Sequence, residues 1–270
     1  MRRLGLHARK QLGQHFLVDT RVLGKIVAAA GLEAGDRVIE VGPGLGVLTR
    51  ELARHAGTVV AIEVDSGLAK ALAKMLAEFT NVRIVNADVL DVEPTSVVTP
   101  PYKVVANLPY YITAPVLRHF LEAEVRPTRM VVMVQREVAR KLVAGPGDLG
   151  ILAISVQLYS RPSLVATVPA RSFYPQPKVD SAVVALDVYP RPLLDVVPQD
   201  FFRVVRAGFS APRKQLRNSL SQGLGVPADN VVEWLKDTVI DPRRRPEDLS
   251  MEEWGRLCGV VPRQTEAGGG

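Results

Sequence analysis

The sequence predicts an α/β chain: a mostly parallel sheet covered by helices, closed at one edge by an antiparallel pair, with a small all-helical domain after it. Three observations carry that prediction. Strand-like apolar runs alternate with amphipathic stretches from about residue 22 to 160. Two later β-rich runs are separated only by a loop. Beyond a proline-marked segment the apolar spacing becomes helical.

The apolar runs are 37–41, 59–64, 82–85, 102–106 and 130–134, and 47–55 and 66–78 are amphipathic stretches between them. Such alternation reads as βαβ units on a parallel sheet. Runs 164–168 and 181–188, with the loop 169–180 between them, are expected to form the antiparallel edge pair. Segment 189–198, with Pro190, Pro192 and Pro198, reads as a linker. Helices are expected over 201–209, 213–223 and 230–237. The domain expectation is therefore 1–188 for the α/β part and 189–263 for the helical part. A tail over 264–270, ending in three glycines, is expected to be disordered.

Apolar residues make up 47% of 270, enough for a sizeable core. No stretch of 18 uncharged apolar residues occurs, which argues against a membrane-spanning helix. Arg2, Arg3, Arg9 and Lys10 are not followed by an apolar run, so no secretory leader is expected. The single cysteine, Cys258, excludes an internal disulfide framework and any cysteine-cluster metal site, and fits a cytoplasmic location. Net charge is +6, a modest excess, but it is concentrated. Residues 1–25 carry six Lys or Arg against Asp19, and residues 200–222 carry five against Asp200.

The first chemically informative stretch is Val38-Ile39-Glu40-Val41-Gly42-Pro43-Gly44-Leu45-Gly46. A strand enters a glycine-rich turn that opens a helix. Glycines let the backbone approach a ligand, and a helix N-terminus offers free N–H groups. The dinucleotide fingerprint G-x-G-x-x-G fails at Val47. The spacing is G-x-G-x-G preceded by Glu40, which resembles motif I of the class I (Rossmann-like) S-adenosylmethionine-dependent methyltransferases. Glu63 ends the second run, where a carboxylate can accept from both ribose hydroxyls. Asp88 follows the third run, where that plan places a carboxylate on the adenine amine. Nicotinamide-dependent oxidoreduction is the weaker rival.

The second informative stretch is Asn107-Leu108-Pro109-Tyr110, just past the fourth run. The form [Asp/Asn/Ser]-x-Pro-[Tyr/Phe] suits methylation of an amine conjugated to an aromatic ring. The lone pair of such an amine is delocalised, so it is a poor nucleophile. Acceptors on its two N–H bonds favour a more tetrahedral nitrogen. The Asn107 side-chain oxygen and the Leu108 carbonyl are candidates. Pro109 stiffens the turn, and Tyr110 can stack on an extruded base. No metal is required.

Four stretches together resemble one family. They are Lys10-Gln11-Leu12-Gly13-Gln14-His15-Phe16-Leu17, Asn107–Thr113 (N-L-P-Y-x-I), Phe173-Tyr174-Pro175-Gln176-Pro177-Lys178-Val179-Asp180-Ser181 and Arg213-Lys214-Gln215-Leu216-Arg217-Asn218-Ser219-Leu220. The family is the bacterial small-subunit rRNA adenine N6,N6-dimethyltransferases of the KsgA type. The resemblance implies transfer of methyl groups from S-adenosylmethionine to two adjacent adenosines near the 3′ end of 16S rRNA. It also implies a role in late small-subunit assembly. The implied cofactor residues are His15, Leu17, Glu40, Gly42, Gly44, Glu63, Asp88 and Asn107. His15 stands where several members carry Asn. Asn107, Leu108 and Tyr110 are implied to hold the target amine, with Phe173 stacking on the other face of the base. The prolines of the third stretch are expected to keep Phe173 out of a regular element. Arg213, Lys214 and Arg217, at helical spacing on one side, are expected to bind phosphates, with Arg243-Arg244-Arg245 as a lesser candidate. Gln135-Arg136-Glu137 reads as a helix start. A monomer is expected, its partner being the immature small subunit.

Three other functions share part of this pattern. A 23S rRNA methyltransferase conferring macrolide resistance would share the first half, while the intact third and fourth stretches favour the small-subunit type. A non-catalytic RNA-binding assembly factor would show erosion of the glycine loop or of Asn107–Tyr110, and both are intact. A DNA adenine methyltransferase would more often carry Asp-Pro-Pro-Tyr.

Overall fold

A computed structural model describes residues 15–263. Lys10–Gln14 of the first family stretch, the arginines before it and the tail 264–270 lie outside the described residues. The chain divides into two compact units. One runs to Arg140 and resumes over Ser160–Pro190; the other comprises Lys141–Tyr159 and the chain from Arg191 onward. The division thus differs from a single cut after residue 188, because Lys141–Tyr159 groups with the later helices.

The first unit begins with β1 (Phe16–Leu17) and α1 (Thr20–Ala30), then alternates β2 (Arg37–Val41), α2 (Val47–His55), β3 (Thr58–Glu63), α3 (Ser66–Met75) and β4 (Val82–Asn86). It continues with the short α4 (Pro94–Val97), β5 (Lys103–Asn107), α5 (Thr113–Leu121), β6 (Arg129–Gln135) and α6 (Arg136–Leu142), the last starting where Gln135-Arg136-Glu137 predicts. After α7 (Ile151–Gln157) come β7 (Ser160–Val168), β8 (Phe173–Tyr174) and β9 (Ser181–Val188).

Seven strands form one sheet in the order β4-β3-β2-β5-β6-β9-β7. The first five are parallel neighbours, and β9 runs antiparallel to both β6 and β7. The expected parallel sheet with an antiparallel edge pair is thus observed. The reason is legible in the strands: Met130-Val131-Val132-Met133-Val134 is buried throughout, as a strand covered on both faces must be. Alternation sends Val38, Val59, Val105, Val131 and Met133 to one face, where Val22, Leu23 and Ile26 of α1 and Leu48 and Leu52 of α2 pack on them. Asp19 caps α1 by accepting from Arg21 N, and Gly31 ends it in the left-handed conformation.

The chain runs outward from β2 through β3 to β4 and then returns to β5 on the other side of β2. The carboxyl ends of β2 and β5 therefore flank the switch point, where open α/β sheets place ligands.

In the second unit, α7 accompanies α8 (Pro198–Gly208), α9 (Leu216–Leu224), α10 (Ala228–Asp237) and α11 (Met251–Val260). Two glycines set its crossings. A Cβ on Gly223 of α9 would lie 2.4 Å from Ala207 Cα of α8, and one on Gly208 would lie 2.5 Å from the Trp254 ring of α11. Trp254 is fully buried and stacks on Phe209, with centroids 5.9 Å apart. Among the described residues, no helix is long and apolar enough to cross a membrane.

Two local expectations need correction. Arg213 and Lys214 do not lie on a helix. They sit in a turn before α9, which starts at Leu216 with Gln215 as its cap, so they share no helical face with Arg217. Phe173 does lie in a regular element: β8 pairs antiparallel with β1, Leu17 opposite Phe173 and Phe16 opposite Tyr174. The prolines begin only after Tyr174, so both residues of β8 keep their N–H groups for the ladder.

Candidate active site

Four neighbouring strands deliver the candidate residues in one row. Asp88 follows β4, Glu63 ends β3, the glycine loop follows β2 and Asn107 ends β5. Neighbouring strands are about 4.8 Å apart, so this row spans about 15 Å, the length of a nucleoside with an amino-acid side arm. A cavity of about 340 Å³ lies along it, within the range of small-molecule sites. Its wall includes Glu40, Gly42, Gly44, Glu63, Asp88 and Asn107, together with His15, Leu17, Leu108, Pro109, Tyr110 and Phe173.

The loop after β2 is shaped by left-handed glycines. Gly42 has φ 64° and its N–H donates to Ile62 O. Gly44 has φ 58°, and a Cβ there would come within 3.0 Å of the Phe16 ring. Both conformations disfavour any residue with a Cβ. The bare backbone of Gly44 points its N–H at Glu63 Oε2, 3.4 Å away. Glu63 also accepts from Asp65 N at 3.0 Å, and Asp65 caps α3 through Gly67 N and Leu68 N. Burial pushes the Glu63 carboxyl up, and these N–H groups oppose the push.

Glu40 is the unusual group. It is 1% exposed in a strand otherwise apolar beyond Arg37, and it shares the face of Val38. Burial raises its pKa to about 8, the nearby Thr49 hydroxyl favours the ionised form, and the charge of Glu63 opposes it. Neither Glu40 Oε2 nor Thr49 Oγ1 has a hydrogen-bond partner of good geometry. An orphaned, buried carboxylate oxygen in a cavity wall is a place for a cationic or N–H-bearing ligand. Asp88 is exposed and caps a 3-10 turn by accepting from Leu90 N.

On the β5 side, Asn107 Nδ2 donates to His15 O at 3.2 Å, which leaves Oδ1 as an acceptor. Leu108 N is held by Met133 O at 3.1 Å, and among the described residues no donor reaches the Leu108 carbonyl. The 3-10 turn Tyr110–Ile112 follows Pro109. The Tyr110 ring is half-buried; it stacks loosely on His15, with centroids 6.1 Å apart at 30°, and its hydroxyl meets Ser181 Oγ at 2.9 Å. Burial raises the Tyr110 phenol pKa, against the lowering effect of Ser181.

The β1–β8 ribbon joins the two ends of this unit's sequence over the cavity. His15 Nδ1 donates to Pro175 O at 2.7 Å, and Val18 N to Ser172 O at 2.9 Å. Ser172 Oγ donates to the capping carboxylate of Asp19, whose pKa is lowered by the Arg21 N–H and by Ser172.

The model of the family described as "Ribosomal RNA adenine dimethylase" matches residues 5–261. The chain belongs to that family. It is 52% identical to "Ribosomal RNA small subunit methyltransferase A" of Dehalococcoides mccartyi strain BAV1, covering 94% of this chain and 88% of the relative. Its likeness to the protein of that name from Moorella thermoacetica is 47% identity over 97% and 95%. Among solved structures, it resembles the 23S rRNA methyltransferase ErmE, with 31% identity, TM-score 0.73 and coverage of 90% and 98%. It also resembles a dimethyladenosine transferase from Plasmodium falciparum, with 25% identity, TM-score 0.75 and coverage of 90% and 96%. The fold is that of the class I methyltransferases.

Within this family member the cavity gathers every residue expected to bind cofactor or target base. Phe173 is only 4% exposed and packs among Leu17, Val22 and Leu23, although its edge reaches the cavity wall. The exposed aromatics nearby are Tyr111 and Tyr174. Arg213, Lys214 and Arg217 are exposed in the second unit. The run Arg243–Arg245 is instead engaged by carboxylates: Arg243 with Asp241, Arg244 with Glu253 at 2.5 Å, and Arg245 with Glu247. Sequence reasoning gave no role to Phe16, Asp65, Thr49 or Ser181. Phe16 and Ser181 carried a signal, as members of the first and third family stretches.

Proposed function

We propose that this chain transfers methyl groups from S-adenosylmethionine to N6 of two adjacent adenosines in the 3′-terminal hairpin of 16S rRNA, during late assembly of the small subunit. The observation that carries the reading is the pair of free acceptors at the end of β5. Asn107 turns its amide nitrogen to His15 O, and among the described residues no donor reaches its Oδ1 or the adjacent Leu108 carbonyl. Two acceptors match the two N–H bonds of an adenine amine. They favour a tetrahedral nitrogen whose lone pair leaves the ring, as preorganised dipoles favour developing charge. Tyr110 offers its ring to the base, and Pro109 fixes the turn that aims it.

The residues present fit the cofactor. The orphaned Glu40 oxygen and the Gly42–Gly44 backbone suit the amino-acid end, Glu63 the ribose hydroxyls and Asp88 the adenine amine. His15 and Leu17 border the same cavity. When bound, the sulfonium supplies the methyl group. The reading involves no metal.

The second unit is proposed to grip rRNA through Arg213, Lys214 and Arg217, and the protein to work as a cytoplasmic monomer. Methylation of 23S rRNA is the rival, favoured by the likeness to ErmE at 31% identity. The near full-length likeness to small-subunit enzymes at 52% argues for the first reading. The test is to incubate the protein with labelled cofactor and undermethylated small subunits, and to locate dimethyladenosine by mass spectrometry. Asn107→Ala is expected to abolish turnover while leaving RNA affinity within a few-fold. Dimethylation at the normal rate by that variant would refute the assignment.

A further inference from the structure

Ser181 is the first residue of β9 and is fully buried. Its backbone is fixed on both sides, paired with Gln135 of β6 and with Val168 of β7. It is therefore among the least movable points near the cavity. Its hydroxyl lies 2.9 Å from Tyr110 Oη. The residue before it is equally committed. Asp180 Oδ1 accepts from Ala170 N at 3.0 Å, Oδ2 accepts from Arg136 at 3.3 Å, and its carbonyl accepts from Arg136 N at 3.0 Å. The turn Ala170–Ser172 that leads into Phe173 is thus tied to the start of β9.

Tyr110 itself stands on a three-residue 3-10 turn, which holds it weakly. A tyrosine ring swings widely on its first side-chain torsion, and one hydrogen bond at its far end pins the direction of its long axis. From this geometry we infer that Ser181 is a positioning residue: it fixes the direction in which the Tyr110 ring lies across the cavity wall, so that a base stacked there presents its amine to Asn107 Oδ1 and Leu108 O. The inference rests on the proposed role of Tyr110 toward the base. Ser181 touches neither base nor cofactor in this scheme. It acts on turnover through Tyr110, because a tilted base leaves the reactive geometry while the rRNA stays bound elsewhere.

The experiment is a double-mutant cycle with undermethylated small subunits as substrate. Ser181→Ala and Tyr110→Phe are each expected to lower kcat about ten-fold, the scale of one lost positioning hydrogen bond, with KM for the subunit held within two-fold. The double variant is expected to lose about ten-fold as well, because both substitutions remove the same contact. Tyr110→Phe keeps the strand intact, so it reads the contact even where Ser181→Ala disturbs β9; calorimetric binding of S-adenosylmethionine reports that the fold is retained. Wild-type turnover in Ser181→Ala, a loss carried by KM alone, or single losses that multiply to about a hundred-fold in the double would each overturn the inference. Asn107→Ala in the same assay separates the two claims. If it is inactive while Ser181→Ala is normal, only the positioning role fails; if it is active, the reading of the site fails first.

Discussion

At the residue scale, Glu40 shows what burying a carboxyl in a cavity wall costs the fold. An ionisable side chain buried to 1% exposure without a strong partner is disfavoured when charged. Its folded pKa of about 8 lies above the ordinary glutamate value of 4.5. The folded state therefore holds the proton more tightly than the unfolded chain. From about pH 4.5 to about pH 8 unfolding releases a proton, so stability from this group falls as pH rises. Glu40→Gln removes the penalty. The variant is expected to unfold at a higher temperature than the wild type at pH 8, by an amount worth at most about 5 kcal/mol at ~1.4 kcal/mol per unit, and to match it at pH 4. Melting curves at the two pH values check this; an equal difference at both would show that Glu40 is ionised in the free fold. Its neighbour Glu63 is also raised by burial, but two backbone N–H groups hold its carboxylate.

At the scale of elements, two devices stand out. The ribbon of β1 and β8 brings residues some 160 positions apart into one wall, with His15 bridging Asn107 and Pro175. The loop that follows β5 is thereby braced from a segment far away in sequence. In the second unit, Gly223 lets α9 cross α8 backbone against backbone. Gly223→Ala places a methyl where no flexible side chain can yield. It is expected to cost about 3 kcal/mol or more, as overpacking against rigid backbone does. Denaturant unfolding followed by Trp234 and Trp254 fluorescence measures it; a cost below about 1 kcal/mol would mean that the two helices separate easily.

At the scale of the whole molecule, charge is distributed by task. The net +6 is modest, and several arginines are already committed. Arg244 holds Glu253 and the Asp248 carbonyl, and so fastens the capped start of α11. Arg213 and Arg217 are exposed and have no carboxylate partner among the described residues. They are the residues from which a salt-dependent grip on rRNA is expected. Arg213→Ala and Arg217→Ala should each reduce the slope of log affinity against log salt by roughly 0.7–0.9, with base preference unchanged. Binding titrations from low to moderate salt test this, and unchanged slopes would place the contact elsewhere.

The amino-acid sequence by itself determined the seven strands of the main sheet, their mostly parallel character with an antiparallel edge pair, and the placing of Glu40, Gly42, Glu63, Asp88 and Asn107 at or near strand ends. These depend on local spacing: buried strands read as apolar runs, and a glycine loop between strand and helix announces a ligand. The helix α11 was not anticipated, although Ser250 and Glu253 form a capping box at its start. Tertiary structure decided the rest. Nothing local says that His15 meets Pro175, that Phe173 turns into the core beside Leu17, or that Ser181 reaches Tyr110. Likewise, the shift at Glu40 and the engagement of Arg244 belong to neighbours distant in sequence. Such contacts are settled only when the sheet closes and non-local partners compete for the same polar groups, a competition that pattern and propensity do not encode.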